Sequence, residues 1–275
     1  MTTARSRPGF KVFSAWKCPA GAVYQMGDTM RDFIRTVLVS CMLGVILVAV
    51  PVAAQTSDLS TWTAVSVTVP DGQNPGDWYL FDSNQTVIQI AEANPTFFCN
   101  NLSQSSFLFT GSFAAFTVSD DDPFGFAFGY QDPGHCYILD WKQTAQESSV
   151  GLRDEGFVIR KMHGDPDDML WNDYWEHLDG AERYTILATG LGETMGWQDN
   201  TVYDFTLEFE MGSFTVIIRE GETVLWEVTV DDGDYMSGEF AFYNLSQKDV
   251  AYWGAMEGSV AMEACTLSAV KDLFR

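Results

Sequence analysis

Three consecutive carboxylates, Asp120, Asp121 and Asp122, stand immediately before a strand-like stretch of aromatic and small residues. Adjacent anions repel one another. A hard cation such as Ca²⁺ relieves this repulsion, because it takes about six to eight oxygen ligands, including carboxylates. Pro123 stiffens the chain where the loop enters the strand. The triplet therefore indicates either a calcium site or a solvated acidic loop.

Two further groups of acids extend the search for ligands. Asp140, on the next strand, is expected to point away from the neighbouring Trp141. It either adds a carboxylate oxygen to the same ion or is an acid on the sheet surface. Residues 231–234 (Asp-Asp-Gly-Asp) follow a strand, and their composition favours a turn over a second calcium site.

The elements that position these acids show the two-residue period of β-strands. Residues 125–131 alternate strictly, so Phe126, Phe128 and Tyr130 are predicted to share one face. A turn at residues 132–134 leads to a returning strand over 136–142. Similar hairpins are predicted over residues 203–219 and 214–230, with further strands at 238–244 and 250–255. This spacing predicts an all-β fold, a two-sheet antiparallel β-sandwich or jelly roll.

The net charge of −23 is unevenly distributed along the 275 residues. Residues 1–54 hold six basic and two acidic side chains, so the remainder carries nine basic against thirty-six acidic ones. Such a surface repels nucleic acid and anionic lipid and attracts divalent cations. We therefore expect no nucleic-acid partner.

An apolar segment explains the change in composition. Residues 30–35 form a short segment that contains charged side chains, and residues 36–54 are uncharged. The uncharged segment ends in small residues of the kind that signal peptidase cleaves. We predict a signal peptide at 30–54, an upstream extension without structural role at 1–29, and a polar lead-in at 55–74. A membrane anchor is the alternative, since nineteen uncharged residues nearly span a bilayer. After signal removal we expect no membrane insertion.

A longer pattern carries a family resemblance. The segment DDDPFGFAFGYQ (residues 120–131), followed by YILDWKQ (137–143), resembles the C-terminal domain of thrombospondins. That domain carries DDD-x-x-GF-x-FGYQ and then an aromatic strand ending in WKQ. Gly196-Trp197, the 214–226 hairpin and residues 238–247 follow in the family's order. We place this domain at 75–268, with a tail at 269–275.

The resemblance implies an L-type-lectin-like, concanavalin A-like sandwich, the fold type that lectins share with some glucanases. It also implies calcium binding, here by Asp120, Asp121, Asp122 and Asp140, and an extracellular location. The expected function is that of a secreted calcium-binding domain that mediates adhesion or contact with an extracellular surface or matrix. Its expected partner is an unidentified extracellular protein or glycan. If the source is a Gram-negative bacterium, the location would be the periplasm.

Two alternative functions remain open. A carbohydrate-binding lectin-like module would use Trp171, Tyr174 and Trp175 as ligand platforms, unless these side chains cover an edge of the core. A glycoside hydrolase or lyase would need two carboxyls about 5 Å apart in a retaining mechanism. Glu208 and Glu210 share a strand face, but the Glu-x-Asp-x-x-Glu pattern of sandwich glucanases is not found. We therefore expect no enzyme.

Three cysteines follow the predicted signal peptide, and an exported chain permits disulfides. Cys99 and Cys265 flank the region of resemblance, and sandwiches of this kind often bring their first and last strands together. We expect these two to form a disulfide and Cys136 to be free, although spacing alone allows other pairings.

Overall fold

Sixteen strands form two seven-stranded antiparallel sheets and one two-stranded ribbon in the part of the chain that the structure describes. The computed structural model describes residues 57–69, 72–149, 151–178 and 180–257. The predicted signal peptide, the upstream extension and the tail lie outside these residues. The two sheets confirm the predicted all-β, two-sheet antiparallel sandwich.

The first sheet contains the strands that carry or neighbour the acidic triplet. Its spatial order is β1 (Thr63–Ser66), β4 (Thr96–Cys99), β15 (Glu239–Asn244), β6 (Phe124–Asp132), β7 (His135–Lys142), β10 (Gly156–His163) and β11 (Tyr184–Leu191). The predicted hairpin is the β6–β7 pair, in which Phe126 lies opposite Leu139.

The second sheet packs against the first. Its spatial order is β14 (Thr223–Asp231), β13 (Ser213–Glu220), β12 (Tyr203–Glu210), β5 (Phe107–Ala115), β16 (Val250–Glu257), β3 (Thr86–Gln89) and β2 (Trp78–Phe81). The remaining elements are a 3₁₀ turn (Leu59–Thr61), the ribbon strands β8 (Gln146–Ser148) and β9 (Gly151–Arg153), and the helix α1 (Trp171–Trp175).

Aromatic rings from both sheets fill the space between them. Phe109 of β5 stacks on Phe240 of β15 at 3.9 Å between ring centroids, and Phe126 stacks on Phe205 at 4.6 Å. Each such side chain stabilises the fold by about 1.5–3 kcal/mol when it leaves water. Alternation along β7 likewise turns Trp141 into this core, so that the side chains of Asp140 and Lys142 lie on the opposite face of the sheet.

A bulge in β6 breaks the predicted alternation. The register of β6 with β7 shifts between Phe128 and Asp132, and Gly129 adopts a positive φ of 55°. Because a bulge inserts one extra residue, the side chain that follows turns to the other face. Tyr130 accordingly packs on the outer face of the first sheet, 5.1 Å from the ring of Phe97. The prediction that Tyr130 shares a face with Phe126 and Phe128 is wrong for this reason.

The outer face of the first sheet is itself covered. Residues 164–178, which we call the cover segment, lie over it and contain α1. Met169, Tyr174 and Trp175 of this segment are buried in a second apolar cluster that includes Ile138 of β7. A five-residue helix is too short to be stable alone. The position of α1 therefore depends on its contacts with the sheet beneath.

Candidate metal centre

The acidic triplet lies in the loop that connects β5 to β6. One carboxylate oxygen from each of Asp120, Asp121 and Asp122 can be chosen so that all three lie within 4.8 Å of one another. Oxygens around one Ca²⁺ each lie about 2.3–2.6 Å from the ion, so oxygens on opposite sides of it are about 5 Å apart. The structure thus brings together three of the four predicted metal ligands at a spacing that fits one hard cation.

Asp121 is the member of the triplet that has the shortest contact with a positive partner. Its Oδ1 lies 2.7 Å from Nζ of Lys142, and Thr144 donates a short hydrogen bond to its Oδ2. Burial raises the pKa of Asp121, but the hydrogen bonds from Lys142 and Thr144 outweigh burial and hold its pKa below the ordinary value. Asp121 therefore stays ionised.

Asp120 has a different environment. Its Oδ2 accepts the backbone N–H of Lys248 at 3.0 Å, and no described donor contacts its Oδ1. Burial raises the pKa of Asp120 to about 6; the Lys248 N–H opposes that rise, and the negative charge of Asp122 adds to it. A cation between Asp120 and Asp122 would remove the repulsion.

The donor set therefore fits the calcium that the resemblance implies. Asp120, Asp121 and Asp122 would hold the ion, and carboxylates are ligands that hard cations prefer. When bound, the ion would supply positive charge that neutralises the triplet and ties the β5–β6 loop together.

Asp140 does not join the triplet, which corrects its prediction as a metal ligand. Its Oδ1 lies 2.5 Å from Nη2 of Arg153 and its Oδ2 lies 3.0 Å from Nη2 of Arg160. All three side chains are fully buried. Burial raises the pKa of a carboxyl, but the two guanidinium charges outweigh it and hold the pKa of Asp140 well below its usual range. We call these three residues the arginine clamp.

The arginine clamp holds the cover segment on the sheet. Nη1 of Arg153 donates to the carbonyls of Tyr174 and Trp175 at 2.7 and 2.9 Å. Nη1 of Arg160 donates to the carbonyl of Asp173 at 3.0 Å. These carbonyls belong to the last turn of α1 and lack partners within the helix. The role of the clamp is therefore structural.

The predicted aromatic platform is also corrected. Tyr174 and Trp175 are 0% and 3% exposed, and Trp171 is only partly exposed and packs against the same cluster. Side chains buried in this way cannot stack on a ligand in solution. Of the two interpretations that the sequence leaves open, these residues cover the core.

The other acids that the sequence singled out lie outside the triplet. Nζ of Lys161 lies 2.7 Å from Asp232 and also pairs with Asp234, so a lysine occupies the second acidic turn. Glu208 and Glu210 are exposed on the outer face of β12.

Cys99 and Cys136 are both buried and free within the described residues. Cys265 lies outside the described residues, so its disulfide with Cys99 stays a prediction.

Lysines are the site residues that the sequence analysis missed. Lys142 directly follows Trp141, and alternation places it on the face opposite the core, but only the loop geometry shows that it reaches Asp121. Lys248 lies more than a hundred residues beyond the triplet. Its contact with Asp120 is made by the backbone, which leaves no signal in the sequence.

Comparison with known proteins identifies the family. Residues 73–260 match the family described as the thrombospondin C-terminal region, and this stretch contains both sheets from β2 to β16. The chain belongs to this family.

Two curated relatives each match about two thirds of the chain. Thrombospondin-4-B of Danio rerio is 26% identical over 193 residues, which is 66% of this chain and 20% of that protein. Cartilage oligomeric matrix protein of Rattus norvegicus is 26% identical over 192 residues, which is 66% of this chain and 25% of that protein. The chain thus spans about a quarter or less of the length of these relatives.

Among solved structures, a carbohydrate-binding module from Bacillus subtilis covers 72% of this chain and 96% of its own, with 12% identity and a TM-score of 0.45. Within the described parts of the chain, no helix has the length and apolar content of a membrane-spanning segment.

Proposed function

We propose that this protein is a secreted calcium-binding β-sandwich domain that mediates adhesion or contact with an extracellular surface or matrix. The observation that carries the proposal is the acidic triplet. It lies inside the region that matches the thrombospondin family, and its three carboxylates can face one cation. The relatives named above include a matrix protein by its printed name, which supports an extracellular setting.

Charge supports calcium as the ion. The described loop places two ionisable carboxylates, Asp120 and Asp122, beside each other without a lysine on the Asp120 side chain. An ion of charge +2 compensates both, and calcium tolerates irregular sets of carboxylate, carbonyl and water ligands better than magnesium does. Extracellular proteins commonly meet calcium at a concentration that saturates a weak site of about 10⁻⁴–10⁻³ M.

Calorimetric titration of the full chain with Ca²⁺ tests metal binding. We expect saturable binding in the wild type and weaker binding in Asp122→Asn, because a neutral amide replaces an anionic ligand. Asp234→Asn is the matched control, since it removes one acid from the other lysine-bound turn and should leave the affinity unchanged. Equal calcium affinity in the wild type and Asp122→Asn would rule out the triplet as the calcium-binding site.

Adhesion is tested separately. The full chain, immobilised on a surface, should retain cells or extracellular matrix in calcium and release them when EDTA is added. Retention that is identical in the wild type and Asp122→Asn would separate adhesion from the metal site.

An open groove beside the triplet supports the second candidate, a carbohydrate-binding module. The groove has a volume of about 520 Å³, and its polar side chains are Gln73, Asn74, Glu92 and Lys248. Amide and charged groups of this kind bind sugar hydroxyls. A glycan array probed with the full chain in calcium and in EDTA tests it, and Asn74→Ala should abolish any signal that arises in the groove.

A further inference from the structure

Lys142 places a positive charge inside the acidic triplet. Its side chain is 0% exposed, and its Nζ lies 2.7 Å from Oδ1 and 2.7 Å from the backbone carbonyl oxygen of Asp121. It also lies 3.4 Å from Oδ1 of Asp122. The ammonium thus stands among oxygens that a metal ion would use.

A metal ion and this ammonium cannot share the same oxygens without strong repulsion. Both oxygens of Asp121 are already engaged, one by Lys142 and the other by Thr144. A divalent cation bound to Asp121 and Asp122 would lie within a few ångströms of Nζ, where like charges repel and little water screens them. Binding to these two residues therefore requires Lys142 to leave.

The surroundings of Lys142 determine what its departure would disturb. Nζ lies 5.6 Å from the centroid of the Trp175 ring, and the guanidinium of Arg153 lies 5.6 Å from the same ring. Trp175 is the last residue of α1, is 3% exposed, and donates its ring N–H to the carbonyl of Gly151 at 3.3 Å. The cover segment therefore closes over the lysine.

We propose that Lys142 is a tethered cation that competes with Ca²⁺ for Asp121 and Asp122, so that metal binding expels its ammonium from beneath the cover segment. This inference rests on the proposed metal site and assigns to it a residue that sets its affinity. In the metal-free protein the lysine offsets part of the repulsion among the three carboxylates. In the metal-bound protein the lysine is exposed and the contact with Trp175 is lost.

The second acidic turn supplies a matched comparison. Lys161 on β10 binds Asp232 and Asp234 in the same manner, with its side chain 13% exposed. Of the two turns, only that of Asp120, Asp121 and Asp122 brings three carboxylates together in the described chain. Removal of Lys161 should therefore leave calcium binding unchanged.

The first experiment is calorimetric titration of full-length Lys142→Met and Lys161→Met with Ca²⁺. Met keeps the apolar stem of lysine but removes the charge. We expect the dissociation constant of Lys142→Met to fall by about ten-fold or more. The Lys161→Met value should equal that of the wild type. An unchanged or weaker affinity in Lys142→Met overturns the inference.

The second experiment uses the wild type and so does not depend on the folding of a variant. Reductive methylation of lysines, read by peptide mass spectrometry, reports whether each amine is accessible. Lys142 should be protected in EDTA and become modified in saturating Ca²⁺, while Lys161 should react equally in both. Protection of Lys142 in saturating Ca²⁺ overturns the inference, even where calorimetry confirms binding.

The combined outcomes separate this inference from the proposed function. If Lys142→Met binds Ca²⁺ and the wild type does not, the result supports competition by Lys142. It also shows that the native protein does not bind calcium at this site. Binding by the wild type with no gain in Lys142→Met would keep the proposed function and overturn the inference. If neither protein binds Ca²⁺, the proposed function and the inference about Lys142 are both overturned.

Discussion

Burial raises the pKa of two adjacent aspartates of the triplet, but only Asp121 has hydrogen-bond donors that outweigh this effect. Asp121 faces the ammonium of Lys142, which lowers its pKa, whereas burial beside Asp122 raises the pKa of Asp120 to about 6. The negative charge of Asp121 is thus compensated by a lysine of the protein. Among the described residues, no lysine ammonium pairs with Asp120, so a bound cation would lower the pKa of Asp120 the most.

Asp120→Asn tests this difference. The folded-state pKa of about 6 exceeds the ordinary value of 3.8, so the folded protein holds this proton more tightly than the unfolded chain does. The contribution of Asp120 to stability is therefore largest below about pH 4 and is lost as the pH rises through about 6. In EDTA, we expect Asp120→Asn to be more stable than the wild type at pH 7 and to lose that advantage at pH 4.

Chemical unfolding in EDTA at the two pH values measures the effect. Asp77→Asn, an exposed aspartate on another loop, serves as the control for a change in net charge. A stability difference between Asp120→Asn and the wild type that is the same at both pH values would contradict the assignment. In calcium, the same variant should bind the ion more weakly than the wild type.

The sequence predicts that the three aspartates lie together, but it does not predict which lysines contact them. Three adjacent acids before a strand indicate a cation, and their oxygens do converge. The partners Lys142 and Lys248 come from β7 and from the loop after β15. Their approach depends on which strands are neighbours in the sheet, and local spacing does not encode that.

At the scale of elements, the arginine clamp attaches α1 to the first sheet. Asp140 lies opposite Val158 in the β7–β10 pairing, and Arg160 is two residues further along β10, on the same face. The three charges come from three strands, since Arg153 belongs to β9. The excess positive charge of two arginines over one aspartate is directed at the carbonyls that end the helix, which suits the negative end of its dipole.

Asp140→Asn should therefore destabilise the protein strongly. It leaves two buried guanidiniums without an anion, which costs about 3–5 kcal/mol in comparable buried pairs. Asp154→Asn is the control, because that carboxylate is 42% exposed and lies 3.8 Å from His177. Its cost should be about 0–1 kcal/mol. Urea unfolding measures both, and similar costs for the two variants would contradict a structural role for the clamp.

The bulge at Gly129 is a second feature of this scale. A Cβ at Gly129 would lie 3.1 Å from the Tyr137 ring and 3.2 Å from Cβ of Tyr235, in a backbone conformation with φ of +55°. Gly129→Ala should cost about 1–3 kcal/mol, because strain and crowding add. Gly221→Ala is the matched control, since Gly221 has the same φ of +55° and no described atom within 4 Å of its Cβ position. Thermal unfolding compares them, and an equal loss would show that crowding contributes nothing.

Regular alternation explains why the sequence predicts the β6–β7 hairpin and the inward faces of Phe126, Leu139 and Trp141. The same alternation fails at Tyr130, because glycine fits a regular strand and a bulge equally well. It also leaves Tyr174 and Trp175 undecided. Whether aromatics in an irregular segment are exposed depends on the sheet face they meet, and here that face is apolar.

At the scale of the whole molecule, the acidic composition acts against folding. The residues after position 54 carry nine basic and thirty-six acidic side chains, and compaction brings these negative charges closer together. Lys142 and Lys161 each offset part of the negative charge of one acidic cluster. A bound divalent cation would reduce the remaining repulsion at the triplet.

Chelation should therefore lower the melting temperature of the full chain. A ligand that binds only the folded state stabilises it by about 2.7 kcal/mol at a hundred times its dissociation constant. Calorimetric melting in excess Ca²⁺ and in EDTA measures the shift, and Asp120→Asn should show a smaller shift than the wild type. Melting curves that coincide with and without EDTA would exclude a structural calcium ion.

The burial of Cys99 has a consequence for the oxidation of this protein. Burial, reinforced by the charge of Glu239, raises the pKa of the Cys99 thiol to about 12. At neutral pH the thiolate fraction is then on the order of 10⁻⁵, and the thiolate is the form that attacks disulfides. Once β4 is buried in the sandwich, this sulfur no longer undergoes thiol–disulfide exchange with glutathione or an isomerase. A disulfide from Cys99 to Cys265 would therefore have to form before the sandwich closes, and would afterwards resist reduction.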